Sequence, residues 1–431
     1  MKKFFLLIIA GLLCSSVLAQ DTTVYRFTLE ECLEYAFRYS YNRQAMILSE
    51  QANEEIYRYS KQQRLPNLNL SLSEGYSNSK TNSSNWNGDY GLNTNIIISQ
   101  GGNLNQTIRQ NKLISEQSEY NTKQYENQLT IQILQAFLNV LGAEELLRFQ
   151  EAVVIATEEQ LKQGREQLRL GQILESDYLL LEAQYASDQD NIIDTRISIE
   201  NNLLSLKSLL SMDPAAKLRI VYPDTSAINN MMSIPSRQEV LERAVSTLPD
   251  LVISDYNIDI ARLNVDLAKS AYYPTISLGA GIGSGHLYNF NGFGKQLEDR
   301  FSQQVNISLS LPIYNRGQTK SRVVQSQIAV QQAELDKMNT NLTVRQTVIQ
   351  EYQNVIGSRS KYQAADVKQN AYLKTFEAYS ARFTFGDITP VDLLQQQNNY
   401  INALYEYIQA KYGFMLRRKI LDVYMGLEVK I

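Results

Sequence analysis

Histidine, cysteine and proline are nearly missing from this 431-residue chain, which has one His, two Cys and eight Pro. A lone His286 cannot assemble a metal centre, because such a site needs several N, S or O ligands. Its Gly-rich setting beside Tyr288 and Phe290 predicts a surface loop residue. Cys14 directly follows the first apolar run, so a processed chain would keep Cys32 alone and could form no intrachain disulfide. Cys32 reads as a packed apolar residue rather than a nucleophile. Gly279, Gly281, Gly283 and Gly285 follow strand-like alternation with no helix after them, which suits a strand end and not a phosphate loop. No catalytic constellation, cofactor site or metal site emerges, and nothing points to an enzyme. Charged residues make up only 20% of the chain, the net charge is −4, and the basic residues are scattered. That argues against a nucleic-acid partner. Beyond the N-terminus no stretch approaches the ~18 consecutive apolar residues of a membrane-spanning helix.

What is present begins with an address. Lys2 and Lys3 precede an apolar run from Phe4 to Leu13, and Val17-Leu18-Ala19 has the form of a cleavage site. Residues 1–19 therefore read as a secretory signal, with lipidation at Cys14 as the lesser alternative. The rest is written twice. Gly102, Gly171 and Asp177 each recur 215 residues later, at Gly317, Gly386 and Asp392. Phe137–Gly142 falls on Tyr352–Gly357 in the same register. One register held over that distance means two copies of one structural unit. The first runs over 20–212, a connector over 213–235, and the second over 236–431.

Each copy changes its hydrophobic period twice. Helices read over Thr28–Tyr39 and Arg43–Arg64, and Pro66 ends the second. Leu68, Leu70, Leu72 and Tyr76 then alternate with Asn and Ser, as do Tyr90, Leu92, Ile96 and Ile98. The first β-hairpin spans about 67–99 and the second about 275–313, with Gly285–Asp299 as the longer loop. Strands of about 10 residues with an uncharged polar face suit a tilted crossing of a bilayer. Four strands cannot close a membrane barrel, two chains would make one too narrow for a pore, and three chains give twelve strands. A homotrimer is the expectation. The helical period then returns over about 103–210 and 318–426. Proline-free runs of more than 60 residues predict helices of roughly 90–100 Å, closed by Gly171 and Gly386. Ser176 or Asp177, and Thr389-Pro390, should start the return helices. The fold class expected is a membrane β-barrel joined to a long α-helical coiled-coil barrel, a trimer with four strands per protomer and a twofold internal repeat.

Leu65–Leu68, Ser99–Gly102, Leu311–Gly317 and the paired turns Gly171–Leu179 and Gly386–Leu394 together resemble the TolC family of outer-membrane efflux factors. The resemblance covers essentially the whole chain after the signal. It implies an outer-membrane channel that extends into the periplasm and conducts passively. It also implies a periplasmic adaptor and an inner-membrane pump of RND or ABC type, or a type I secretion apparatus, as partners. The family's periplasmic iris carries acidic residues at the position of Asp392 and three residues on, where this chain has Gln395. A latching arginine of the family falls on Ile388.

Asp177 and Asp392, with Phe383 or Phe385 narrowing the entrance, are therefore the gate candidates, set against plain helix capping by the aspartates. Leu170, Gly171, Ile173, Phe385, Gly386 and Ile388 are the expected adaptor-docking turns, with packing inside the turn as the rival role for the apolar ones. Tyr76, Trp86, Tyr90 and Phe301 are candidates for an aromatic girdle in contact with outer-membrane lipid. The reading from a different class is a periplasmic coiled-coil scaffold or adhesin without a pore.

Overall fold

The computed structural model describes residues 24–78, 85–222, 231–287, 292–427 and 429. The segment 1–19 read as a signal, the loop tips at 79–84 and 288–291 (with Tyr288 and Phe290), and 223–230 of the connector lie outside the described residues. In chain order the elements are β1 (Val24–Phe27), α1 (Leu29–Tyr39), α2 (Tyr41–Gln62), β2 (Asn67–Ser77), β3 (Asn85–Gln100), α3 (Asn103–Arg169) and α4 (Glu175–Leu210). After β4 (Lys217–Ile220) come α5 (Arg237–Thr247), α6 (Pro249–Ser270), β5 (Thr275–His286), α7 (Phe293–Asp299), β6 (Ser302–Ser310), α8 (Gln318–Thr384) and α9 (Pro390–Tyr424). The order helix, helix, strand, strand, long helix, return helix occurs twice, with α7 inserted between the strands of the second copy, and α3 and α8 both have 67 residues.

The chain divides into two compact units that cut across this repeat. One comprises Met1–Tyr41, Asn127–Val240 and Ile349–Ile431, the other Asn42–Glu126 and Leu241–Val348. The long helices α3 and α8 run through both.

The second unit holds a four-stranded sheet in the order β2-β3-β5-β6, antiparallel throughout. Cross-strand partners share a face, so the register sorts the side chains. Leu70, Leu92 and Ile282 lie opposite one another on one face, and Asn69, Asn93, Gly281 and Gln304 on the other. The apolar face is open. Leu68 and Leu70 are 69% exposed, Val305 76% and Ile307 72%. A contiguous apolar surface of this kind is unfavourable in water and marks contact with lipid or protein. Tyr76, Trp86 and Phe301 are exposed at the loop end of the sheet, with the Tyr76 and Trp86 rings 5.6 Å apart. Tyr90 is partly covered, its ring 6.4 Å from that of Phe293.

Two expectations for the second hairpin fail here. Gly285–Asp299 is not all loop, because it contains α7. Phe293, Gln296 and Leu297 form the sheltered face of that helix. The Ser284 hydroxyl donates to the Leu297 carbonyl, and the Leu287 N–H donates to Gln296 Oε1 at 2.7 Å. His286 is accordingly not a surface loop residue. It is the last residue of β5 and fully buried, with Nε2 3.1 Å from the Glu74 carboxylate and its ring 5.3 Å from that of Phe293. The Tyr90 hydroxyl also donates to Glu74.

In the first unit β1 and β4 pair in parallel, a contact that the pattern of residues does not announce and that places a strand inside the 213–235 connector. Helix α1 starts with a capping box. The Glu31 N–H donates to Thr28 Oγ1 at 3.2 Å, and the Thr28 N–H donates to the Glu31 carboxylate at 2.8 Å. Leu29, Cys32, Leu33 and Ala36 form its buried stripe. Burial pushes the Cys32 thiol up to about 12, with the charges of Glu31 and Glu30 adding to the effect. The thiolate is the reactive form, so Cys32 is inert. Iodoacetamide at about pH 8 should leave Cys32 unmodified in the native protein and alkylate it in guanidinium, as read by peptide mass mapping. Equal rates in the two conditions would place Cys32 at the surface.

Candidate functional site at the helical turns

The two turns close in the same way. After α3 the Gly171 N–H donates to Leu168 O at 3.0 Å and the Gln172 N–H to Gln167 O at 2.8 Å. After α8 the Gly386 N–H donates to Phe383 O at 2.9 Å and the Asp387 N–H to Arg382 O at 3.0 Å. This is the paired 5→2 and 6→1 pattern of a Schellman ending, which requires a left-handed residue at the centre. Gly171 and Gly386 fill that place with φ of +70° and +76°.

The turns differ at the start of the return helix. Thr389 caps α9: the Asp392 N–H donates to Thr389 Oγ1 at 3.3 Å, and the Asp392 carboxylate accepts from the Thr389 hydroxyl at 2.7 Å and from its N–H at 3.4 Å. Asp392 is thus the far half of a capping box. In the first copy the matching residue is Leu174, which has no hydroxyl, and no side chain caps α4. Neither Ser176 nor Asp177 is the N-cap expected there. Asp177 lies inside the first turn, where a carboxylate favours the helix dipole without a capping bond.

Both turns meet in one core. Leu181, Phe383, Leu393 and Leu394 are buried together, with Leu161, Phe376, Tyr379 and Ile388 packed against them. The Gln167 amide donates to the Phe383 carbonyl at 3.3 Å. Phe383 is 1% exposed, so as a gate candidate it must be corrected: its ring fills this core and faces no solvent. Phe385, two residues on, is 82% exposed. Leu170 is exposed, while Ile173 and Ile388 are half-buried.

A cleft of about 800 Å³ opens between the turns, lined by Gln172, Ile173, Asp177, Phe385, Asp387 and Asp392 among others. Arg382 is its only cationic lining residue, and its guanidinium lies 5.6 Å from the centre of the Tyr379 ring. Three carboxylates against one guanidinium make the cleft electronegative. Asp392 and Gln395 are both exposed on the first turns of α9. Sequence reasoning missed Gln167 and Arg382, although the 215-residue offset superposes them and would have found both.

Residues 43–211 and 240–426 match the outer membrane efflux protein family. The chain belongs to that family. It is an outer-membrane efflux channel protein that extends into the periplasm, and the family is one of channels, not of enzymes. Outer membrane protein TolC of Vibrio cholerae serotype O1 is 25% identical over 391 residues, covering 85% of this chain and 86% of that one. Outer membrane protein TolC of Escherichia coli strain K12 is 26% identical over 295 residues, or 66% of this chain and 58% of the relative. A crystal structure of CusC aligns over 93% of this chain and 92% of its own with a TM-score of 0.80 at 16% identity, a likeness of fold.

The asymmetry between the two turns is testable. Leu174 is 70% exposed and gives up little packing when replaced. Leu174→Thr should stabilise the start of α4 by about 0.5–1 kcal/mol, and Thr389→Ala should weaken the start of α9 by about 1 kcal/mol. Hydrogen-exchange protection of the two first turns reads both effects, and unchanged protection in both variants would remove the capping argument.

Proposed function

We propose that this protein is the exit duct of a tripartite efflux or type I secretion system. It passively conducts substrates delivered by a periplasmic adaptor and an inner-membrane pump of RND or ABC type. The observation that carries the reading is the sheet. Its apolar face is exposed, and among the described residues the outer edges of β2 and β6 end the strand order without a further strand beside them. In lipid every backbone group must be satisfied, so such edges have to pair with further strands. Three copies make a twelve-stranded barrel, with each chain contributing two structural repeats, 20–212 and 236–431.

In this reading the electronegative turns form the periplasmic entrance. Asp392 and Asp177 ring it, Gln395 leaves out a second acidic ring, and exposed Phe385 narrows it. Gly171 and Gly386 shape the turns, while Leu170, Ile173, Phe385 and Ile388 supply the apolar part of the adaptor contact. Tyr76, Trp86, Tyr90 and Phe301 border the lipid. The chain catalyses no reaction, and energy comes from the pump.

Single-channel recording in planar bilayers separates the roles of Asp392. Asp392→Ala removes charge and cap together, whereas Thr389→Ala removes the cap and keeps the charge. The expected result is a small cation-selective conductance that rises several-fold in Asp392→Ala and little in Thr389→Ala. Equal increases in both would make Asp392 a capping residue only. No channels from folded protein would favour a scaffold without a pore.

A further inference from the structure

We propose that Asp89 is a charge-selecting residue at the outer mouth of the duct, favouring cationic solutes over anionic ones at the exit. The inference rests on the duct reading above, with the polar face of the sheet turned to water.

The four strands of the sheet contain two carboxylates, Glu74 and Asp89, and no lysine or arginine. The register puts them on opposite faces. Glu74 stands opposite Gly88 and His286 on the apolar face, where Tyr90 and His286 hold it. Asp89 stands opposite Ser73 and Gly285 on the polar face and is exposed. It is therefore the one formal charge on a face otherwise made of Asn, Ser, Gln, Thr, Gly and a single Ile.

The neighbouring strand leaves this carboxylate uncovered. A Cβ built on Gly285 would lie 3.1 Å from Asp89 Oδ1 and 2.2 Å from the Gly88 carbonyl, so no side chain can stand between the carboxylate and water there. The next rows toward the helices are neutral, as in Asn69, Asn93 and Gln304. Asp89 lies at the loop end of the sheet, opposite the end where β3 passes into α3. In a trimer it occurs three times around one opening. A ring of carboxylates in a low-dielectric wall raises the local cation concentration and lowers that of anions. Among the described residues of the four strands, this ring is the only fixed charge on the polar face.

The duct reading assigns the mouth ring to the exit and the turn carboxylates to the entrance, so asymmetric salt separates them. Channels are recorded in bilayers with KCl at about 20 mM on the loop side and about 1 M on the other, then with the gradient reversed. At about 1 M the Debye length is about 3 Å, and a ring bathed in it is screened. Asp89→Asn should lower the cation-to-anion permeability ratio about twofold when the loop side is dilute and leave it unchanged when the loop side is concentrated. Asp89→Glu should keep the wild-type ratio, and Asp89→Ser gives a second neutral variant should the asparagine fail to assemble. Asp392→Asn should show the reverse side dependence. Wild-type ratios in both neutral variants, in channels of normal conductance, would overturn the role of Asp89 and leave the duct intact. Absence of any channel from folded wild-type protein would overturn the duct and this inference together.

Discussion

Backbone hydrogen bonding at the two ends of one sheet is the constraint on which the rest depends. Among the described residues, strands β2 and β6 each have one side paired and one side open, and their apolar residues are exposed. In water that combination invites aggregation, and in lipid it costs several kcal/mol for each unsatisfied group. Pairing each edge with the opposite edge of another copy satisfies every group at once. In the proposed barrel the apolar face would lie against hydrocarbon, and the Asn, Ser and Gly face would enclose water. Composition follows from this requirement: a lumen face carrying neutral amides and hydroxyls needs few charges, and a lipid face can carry almost none. Glu74 is the exception, and Tyr90, His286 and α7 are built around it.

The long helices obey a different rule. A helix of 67 residues satisfies its own backbone except at its ends, so its chemistry is concentrated at the turns. Both turns close with the same left-handed glycine and the same pair of bonds, yet only α9 opens with a capping box. The difference comes down to one residue pair, Leu174 against Thr389. Duplication supplied a common backbone plan, and the side chains have since diverged within it.

Much of this was legible in the residues. The 215-residue offset, the change from period 2 to helical period and the proline-free runs located the strands, the long helices and both closing glycines. Capping by Thr389 could be read because hydroxyl, proline and aspartate stand in the required order. The rest was hidden for identifiable reasons. Two four-residue strands, β1 and β4, are too short to carry a period and pair across nearly the whole first half of the chain. Helix α7 follows a Gly- and Asn-rich stretch whose composition resembles a loop, and its docking through Phe293, Gln296 and Leu297 gives it a half-buried face. Phe383 and Phe385 differ by two positions and could not be ranked by composition. Helical geometry turns the first into the core, while the chain past the end of α8 leaves the second outside.

That packing also limits how an entrance at the turns can open. Leu181 belongs to the first hairpin, whereas Phe383, Leu393 and Leu394 belong to the second, yet all four share one core, and the Gln167 amide bonds the Phe383 carbonyl across the same junction. Separating the hairpins of one chain would expose these side chains, at about 1.5–3 kcal/mol for each large apolar residue. It would also break a hydrogen bond worth about 1 kcal/mol net. In the proposed trimer, separation between copies would meet a different surface, where Asp177, Asp387 and Asp392 would repel their counterparts around a common axis. On that proposal the path of lower cost would keep the paired turns of each chain together and move them as a unit against the other copies. In the proposed duct, a docking partner that neutralises or replaces those contacts would open the entrance without disturbing the core beneath it.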